Sequence, residues 1–223
     1  MAAAVPASPP PLRPGNLPSS TRFSSLMTAT VAHYERNAAR FVESTIEVDM
    51  SALHARFLAQ VPDGGLILDA GCGSGRDSKA FLSAGYRVRA FDASANIARL
   101  ASEFLQQPVE VLSFAEFSER SRYDGIWACA SLLHLREAEL PDAFARLWAG
   151  LKPGGVLYAS FKLGSGERDD GERHFTDADE ERLQHWLDGL ADIESIEFWR
   201  SEDRRPERSE TWLNTLVKRG SLA

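Results

Sequence analysis

Residues 68–77 read Leu68-Asp69-Ala70-Gly71-Cys72-Gly73-Ser74-Gly75-Arg76-Asp77, and the fold turns on this stretch. The apolar run Leu66-Ile67-Leu68 leads into it as a short strand, and a helical pattern follows it to about Ala84. Gly71, Gly73 and Gly75 let the backbone approach a ligand closely. The free amides that open the next helix favour a negatively charged group there. Asp92 closes the second strand about 20 residues on, where a carboxylate can accept both hydroxyls of a ribose.

A glycine turn with a downstream acid serves both dinucleotides and S-adenosylmethionine, and two residues separate the readings. A dinucleotide fingerprint starting at Gly71 needs its third glycine at position 76, which is Arg76. Asp69 stands just before the turn, where a pyrophosphate would repel it by about 4 kcal/mol per close charge pair at an intermediate dielectric. A sulfonium and an ammonium would attract it. The electrostatics favour a cationic adenosyl cofactor over a nicotinamide dinucleotide.

Outward from the turn, strands alternate with helices. Val88 to Phe91, Val109 to Leu112, Tyr123 to Ala128 and Val156 to Phe161 read as strands. Ile193 to Phe198 and Trp212 to Val217 read as the final two. Ala95 to Leu105, Leu140 to Leu151 and Asp177 to Leu190 read as helices. The expected fold class is α/β: one doubly wound, mostly parallel seven-stranded sheet with helices on both faces. Two further helices precede the sheet. The first starts near Thr28 with Val31, Tyr34, Ala38 and Phe41 on one face, and the second spans about Ser51 to Gln60. The first would act as a lid.

Residues 1–26 hold Pro6, Pro9, Pro10, Pro11, Pro14 and Pro18 of the chain's eleven prolines and few groups able to pack, so disorder is expected there. A single domain over residues 27–223 follows, with Met27 as an alternative start. The formal charge of -7 disfavours nucleic acid as a partner, because phosphate contacts call for a basic face. No run reaches the ~18 apolar residues of a membrane helix, so no membrane partner is expected. Two cysteines without metal-type spacing predict no metal site and a reducing, cytoplasmic setting. The oligomeric state is not written in any of these features.

From Tyr34 to Lys218 the chain resembles class I S-adenosylmethionine-dependent methyltransferases, and the small bacterial tellurite-resistance-type branch in particular. Leu68–Asp77 is similar to the first motif of that family and Phe91–Ser94 (FDAS) to the second. Ser113–Phe117 (SFAEF) sits where adenine is held, and Tyr123–Leu135 (YDGIWACASLLHL) is similar to the fourth motif. Leu151–Phe161 (LKPGGVLYASF) matches the strand that follows. The resemblance implies that Gly71, Cys72 and Gly73 pass under the methionine moiety, with Asp69 as an acidic anchor. It implies ribose contact by Asp92, with Ser94 beside it. Ala93, Ile97 and Phe114 would flank the adenine, and Ala115-Glu116 would meet its amino group. Cys129 and Ala130 would lie beside the sulfonium, which makes Cys129 a wall rather than a nucleophile. By the same resemblance the last strand runs antiparallel.

Tyr34 on the lid is a candidate cofactor contact. Arg76 and Asp77 sit at the mouth of the site, Arg76 as a cofactor contact or a catalytic residue, and Arg76 or Arg173 would hold an acceptor that is already anionic and needs no base. His134 leaves the fourth strand at its carboxyl end and is the candidate base. Tyr158 and Lys162 share a dehydrogenase-like spacing, but on a strand they lie ~13 Å apart and the match is chance. Residues 167–181 are expected to form a loop leading into a helix. Arg200, Arg204, Arg205 and Arg208, interleaved with acids, read as a solvated connection between the last two strands. The expected reaction is methyl transfer to a small molecule, with a thiol or chalcogen slightly ahead of oxygen or nitrogen. A nicotinamide oxidoreductase, a non-catalytic binding protein and, less favoured, an RNA methyltransferase are the alternatives.

Overall fold

The computed structural model describes residues 24–205 and 208–221. The proline-rich tail up to residue 23 therefore lies outside the described residues. Helix α1 (Ser24–Thr45) and helix α2 (Ser51–Leu58) precede the sheet. Strand β1 (Leu66–Ala70), helix α3 (Arg76–Ser83), β2 (Arg87–Asp92), α4 (Ala95–Leu105) and β3 (Glu110–Val111) build its first half. The second half comprises β4 (Tyr123–Ala128), α5 (Leu140–Gly150), β5 (Leu151–Lys162), α6 (Glu180–Leu187), β8 (Ile193–Glu202) and β9 (Thr211–Arg219). Between β5 and α6 lies a separate hairpin, β6 (Gly166–Asp169) and β7 (His174–Asp177). That hairpin corrects the expected loop: Arg168 bridges to Asp177 across it, and its residues alternate in register.

The main sheet runs β3-β2-β1-β4-β5-β9-β8. Pairings from β3 through β5 are parallel, while β9 pairs antiparallel with both β5 and β8. The α/β class, the seven strands and the single reversed strand stand as expected. Alternating side chains of the central strands feed two cores, as a period of two requires. Leu68, Ile126 and Leu157 pack with Phe144, Leu147 and Trp186 of α5 and α6. Ile67, Trp127 and Tyr158 pack on the other face with Phe57 of α2 and Phe81 of α3. Ala98, Ala101 and Leu105 of α4 form a third cluster with Ala90 and Cys72.

The order in which strands are added reverses between β1 and β4, which opens a crevice at their carboxyl ends. Everything that could bind a ligand gathers there. Among the described residues no helix is long and apolar enough to cross a membrane, and no cluster of three His, Cys, Asp or Glu is placed to hold a metal.

Candidate active site

A cavity of about 500 Å³ occupies that crevice, with α1 as its roof. Its floor is the glycine turn. Gly71, Gly73 and Gly75 all hold positive φ, at 74°, 55° and 78°, where residues with a Cβ are strained. At Gly71 the space is also closed, since a Cβ there would lie 2.6 Å from that of Ser131. The turn is tied to β2 because both Gly71 and Cys72 donate backbone bonds to the Phe91 carbonyl.

Asp92 stands beside it with each oxygen accepting one amide, Gly73 at 3.0 Å and Ser94 at 2.9 Å. These bonds aim the carboxylate and leave lone pairs toward the cavity. Burial pushes Asp92 up to about 6, against the lowering effect of its backbone hydrogen bonds. Ser94 also caps α4, accepting from Ile97 at 3.2 Å, which brings Ile97 and Ala93 to the cavity wall. Phe114 completes that wall, edge-on to Phe91. The neighbouring Ala115 and Glu116 are not among the residues lining the cavity, and the exposed Glu116 carboxylate accepts from Ser113 N and Oγ.

Cys129 and Ala130 form the opposite wall. Ala130 has φ 52°, a conformation sparsely populated by residues other than glycine. Two bonds hold it: Ala130 N donates to Ser160 Oγ at 2.9 Å, and Ser131 Oγ donates to the Ala70 carbonyl at 2.7 Å. Burial pushes the Cys129 thiol up to about 12, which keeps it protonated.

Asp69 borders the cavity but faces α3. Its Oδ2 accepts from Ser78 N at 3.1 Å and Oγ at 2.7 Å, so it caps the first helical turn rather than standing free as an anchor. Burial, then the nearby Asp77, pushes it up to about 7. A raised carboxyl favours folding while protonated and loses that contribution as pH rises through the folded value. Asp69→Asn keeps an acceptor for Ser78 and removes the charge, so it should melt higher than wild type above pH 7. The gain is a few degrees, at about 2–4 °C per kcal/mol for a chain of this size. It should fade as pH falls toward the ordinary carboxyl value of 3.8, which melting curves across pH will check.

His134 lies on a short 3-10 turn after β4 and is half-buried against the roof. Nδ1 sits 2.8 Å from the His174 carbonyl, which can only accept, so Nδ1 carries the proton. Nε2 then accepts from the Tyr34 hydroxyl at 2.8 Å. Both nitrogens are occupied, and burial pushes the imidazole down to about 4. The Tyr34–His134 bond latches α1 over the cavity, as do Thr30 Oγ1 accepting from His174 N and Glu35 meeting Asn96.

Residues of the roof helix and of the hairpin complete the cavity lining. Phe41 of α1 covers Gly73, and Arg173 and Phe175 come from the hairpin. The β8–β9 connection is self-paired as expected, Arg205 with Asp203 and Arg208 with Glu210. It is nevertheless no mere solvated link, because Arg204, Arg205 and Arg208 line the cavity mouth. Tyr158 and Lys162 are on β5, as the alternation requires. Tyr158 stacks on Trp127 at 3.8 Å and donates to Asn214.

A carboxylate at the end of β2, an apolar slot beside it and a glycine floor fit an adenosyl ligand, and known proteins agree. A family model described as a methyltransferase domain matches residues 67–155. The Bacillus subtilis (strain 168) protein named "Putative methyltransferase YqeM" is 29% identical over 173 residues, covering 68% of each chain. The Burkholderia thailandensis 1,6-didemethyltoxoflavin-N1-methyltransferase, solved with its substrate and S-adenosylhomocysteine, has a TM-score of 0.73. It is 22% identical, covering 94% of each chain. Magnesium protoporphyrin IX methyltransferase from Synechocystis PCC 6803 gives 0.68 at 18% identity, covering 87% of this chain and 99% of that one. Residues 67–155 thus carry a methyltransferase domain, and the chain shares the fold of class I S-adenosylmethionine-dependent methyltransferases. The nicotinamide reading gives way to it.

Proposed function

We propose that this enzyme moves the cofactor methyl group to a small molecule whose attacking atom is already anionic, a thiolate or chalcogen oxyanion ahead of a neutral hydroxyl or amine. The observation that carries this reading is the occupied state of His134. An imidazole with one nitrogen donating, the other accepting, and a basicity lowered by burial is poorly suited to take a proton from an acceptor. Cations stand nearby instead. Arg173, paired with Asp170 at 2.6 Å, and Lys162, paired with Glu210 at 2.9 Å, border the same cavity, and both lie over the Phe175 ring at 5.0 Å. Such cations hold an anion and lower a thiol's pKa.

S-adenosylmethionine supplies an electrophilic methyl on a sulfonium. Asp92 would hold the ribose, Ala93, Ile97 and Phe114 the adenine, and Gly71 to Gly73 the amino-acid end. The latched α1 would exclude water and fix the acceptor for in-line attack, so proximity and orientation carry most of the rate. A cavity of about 500 Å³ suits a cofactor plus a small acceptor rather than a macromolecule.

Incubation with isotopically labelled cofactor and a metabolite extract tests the proposal. Labelled small thioethers or methylated chalcogen species are expected. Binding without transfer, or label on oxygen or nitrogen alone, would overturn it. Asp92→Ala serves as the control, with cofactor affinity reduced at least about tenfold for loss of a charged hydrogen bond.

A further inference from the structure

Below the cavity lies a buried polar network that the transfer chemistry does not use. Asp77 accepts four hydrogen bonds. His54 Nε2 at 2.9 Å and Arg76 Nε at 2.8 Å donate to Oδ1, and Trp127 Nε1 at 2.8 Å and Arg76 Nη2 at 2.9 Å donate to Oδ2. Only 7% of the Asp77 side chain, 11% of His54 and 19% of Arg76 is exposed. Burial alone would raise Asp77, but Arg76 and His54 outweigh it and hold the carboxyl ionised. A buried ion pair contributes little to stability compared with apolar packing of the same volume, so the network calls for another reason. Arg76 provides one. Its Nε and Nη2 are spent on Asp77, while Nη1 has no hydrogen-bond partner among the described residues, and the side chain borders the cavity.

We infer that Arg76 binds the carboxylate at the amino-acid end of the cofactor, and that Asp77, His54 and Trp127 are positioning residues that fix its guanidinium. The inference rests on the methyltransferase reading above. Arg76 opens α3 directly after the glycine turn and borders the cavity together with Gly73 and Cys129. The hairpin supplies a different cation, Arg173, which lies over the Phe175 ring. A guanidinium clamped on one edge presents its remaining donors in a fixed plane, the geometry that a carboxylate recognises.

Calorimetry with S-adenosylhomocysteine and its decarboxylated analogue tests this without turnover. Wild type should prefer the carboxylate-bearing probe. Arg76→Gln should lose at least about 30-fold in affinity for it, as a charge-assisted bond implies, and hold the analogue within about threefold. His54→Phe should lower the same preference, and His54→Gln, which keeps a donor for Asp77, should restore it. Retained binding of the analogue shows that each variant is folded. Equal losses for both probes would overturn the inference in favour of a structural Arg76. An unchanged preference with a raised acceptor KM would overturn it in favour of an acceptor anion. Wild type that binds both probes equally defeats this inference alone, whereas wild type that binds neither defeats the methyltransferase reading with it.

Discussion

Gly71→Ala is expected to lower affinity for S-adenosylhomocysteine at least about 100-fold, equivalent to ~2.7 kcal/mol at 1.4 kcal/mol per tenfold. Two effects add. Alanine at φ 74° is strained by ~1–2 kcal/mol, and its Cβ would lie 2.6 Å from the Ser131 Cβ. Neither side can yield cheaply. Ser131 is tied by its hydroxyl to the Ala70 carbonyl, and the residue before it, Ala130, is itself in a strained conformation held by Ser160. Relief therefore moves the turn after β4 and the glycine floor together, and both are walls of the cavity proposed to hold the cofactor. Gly85→Ala is the control. Its φ is 90°, so the backbone strain is similar, but nothing lies within 4 Å of the added carbon and the residue is away from the cavity. It should lose stability and keep cofactor affinity. Calorimetry and melting curves on both variants separate the site effect from the strain effect, and equal affinities for the two would refute the clash.

The second large effect concerns the acceptor. Arg173→Gln should reduce kcat/KM by about 100-fold, the loss of one charged contact to a reacting anion, while cofactor affinity stays near normal. His134→Asn should cost less, about tenfold or under, because it removes a latch for Tyr34 rather than a proton acceptor. Asparagine still offers a donor for the His174 carbonyl. The pH profile of kcat/KM should follow the ionisation of the acceptor, with no limb in the imidazole range to disappear in His134→Asn. An inactive His134 variant at every pH, beside a nearly normal Arg173 variant, would reverse the assignment and return His134 to the role of base.

The positions of Asp69, Gly71, Gly73 and Asp92 at the ends of β1 and β2 were legible because strand, turn and helix follow one another within a few residues. The period-two runs Tyr123–Ala128 and Val156–Phe161 likewise marked β4 and β5, and the -7 charge weighed against a nucleic-acid reading. Such features are local: a backbone conformation or a hydrophobic period is written into neighbouring residues. What each side chain touches is not. Glu116 was placed on adenine by its position, and its exposed carboxylate accepts from Ser113 three residues away. His134 looked free at a strand end until α1 delivered Tyr34, 100 residues earlier, to one nitrogen and the hairpin delivered the His174 carbonyl to the other. No spacing announced that His54, Asp77 and Trp127 would meet, since they come from α2, α3 and β4. The sequence by itself thus determined the fold class, the cofactor turn and the order of the strands along the chain. Only the tertiary structure decided which polar groups are already satisfied and which remain to meet a ligand, because hydrogen-bond partners and burial arise from contacts distant along the chain.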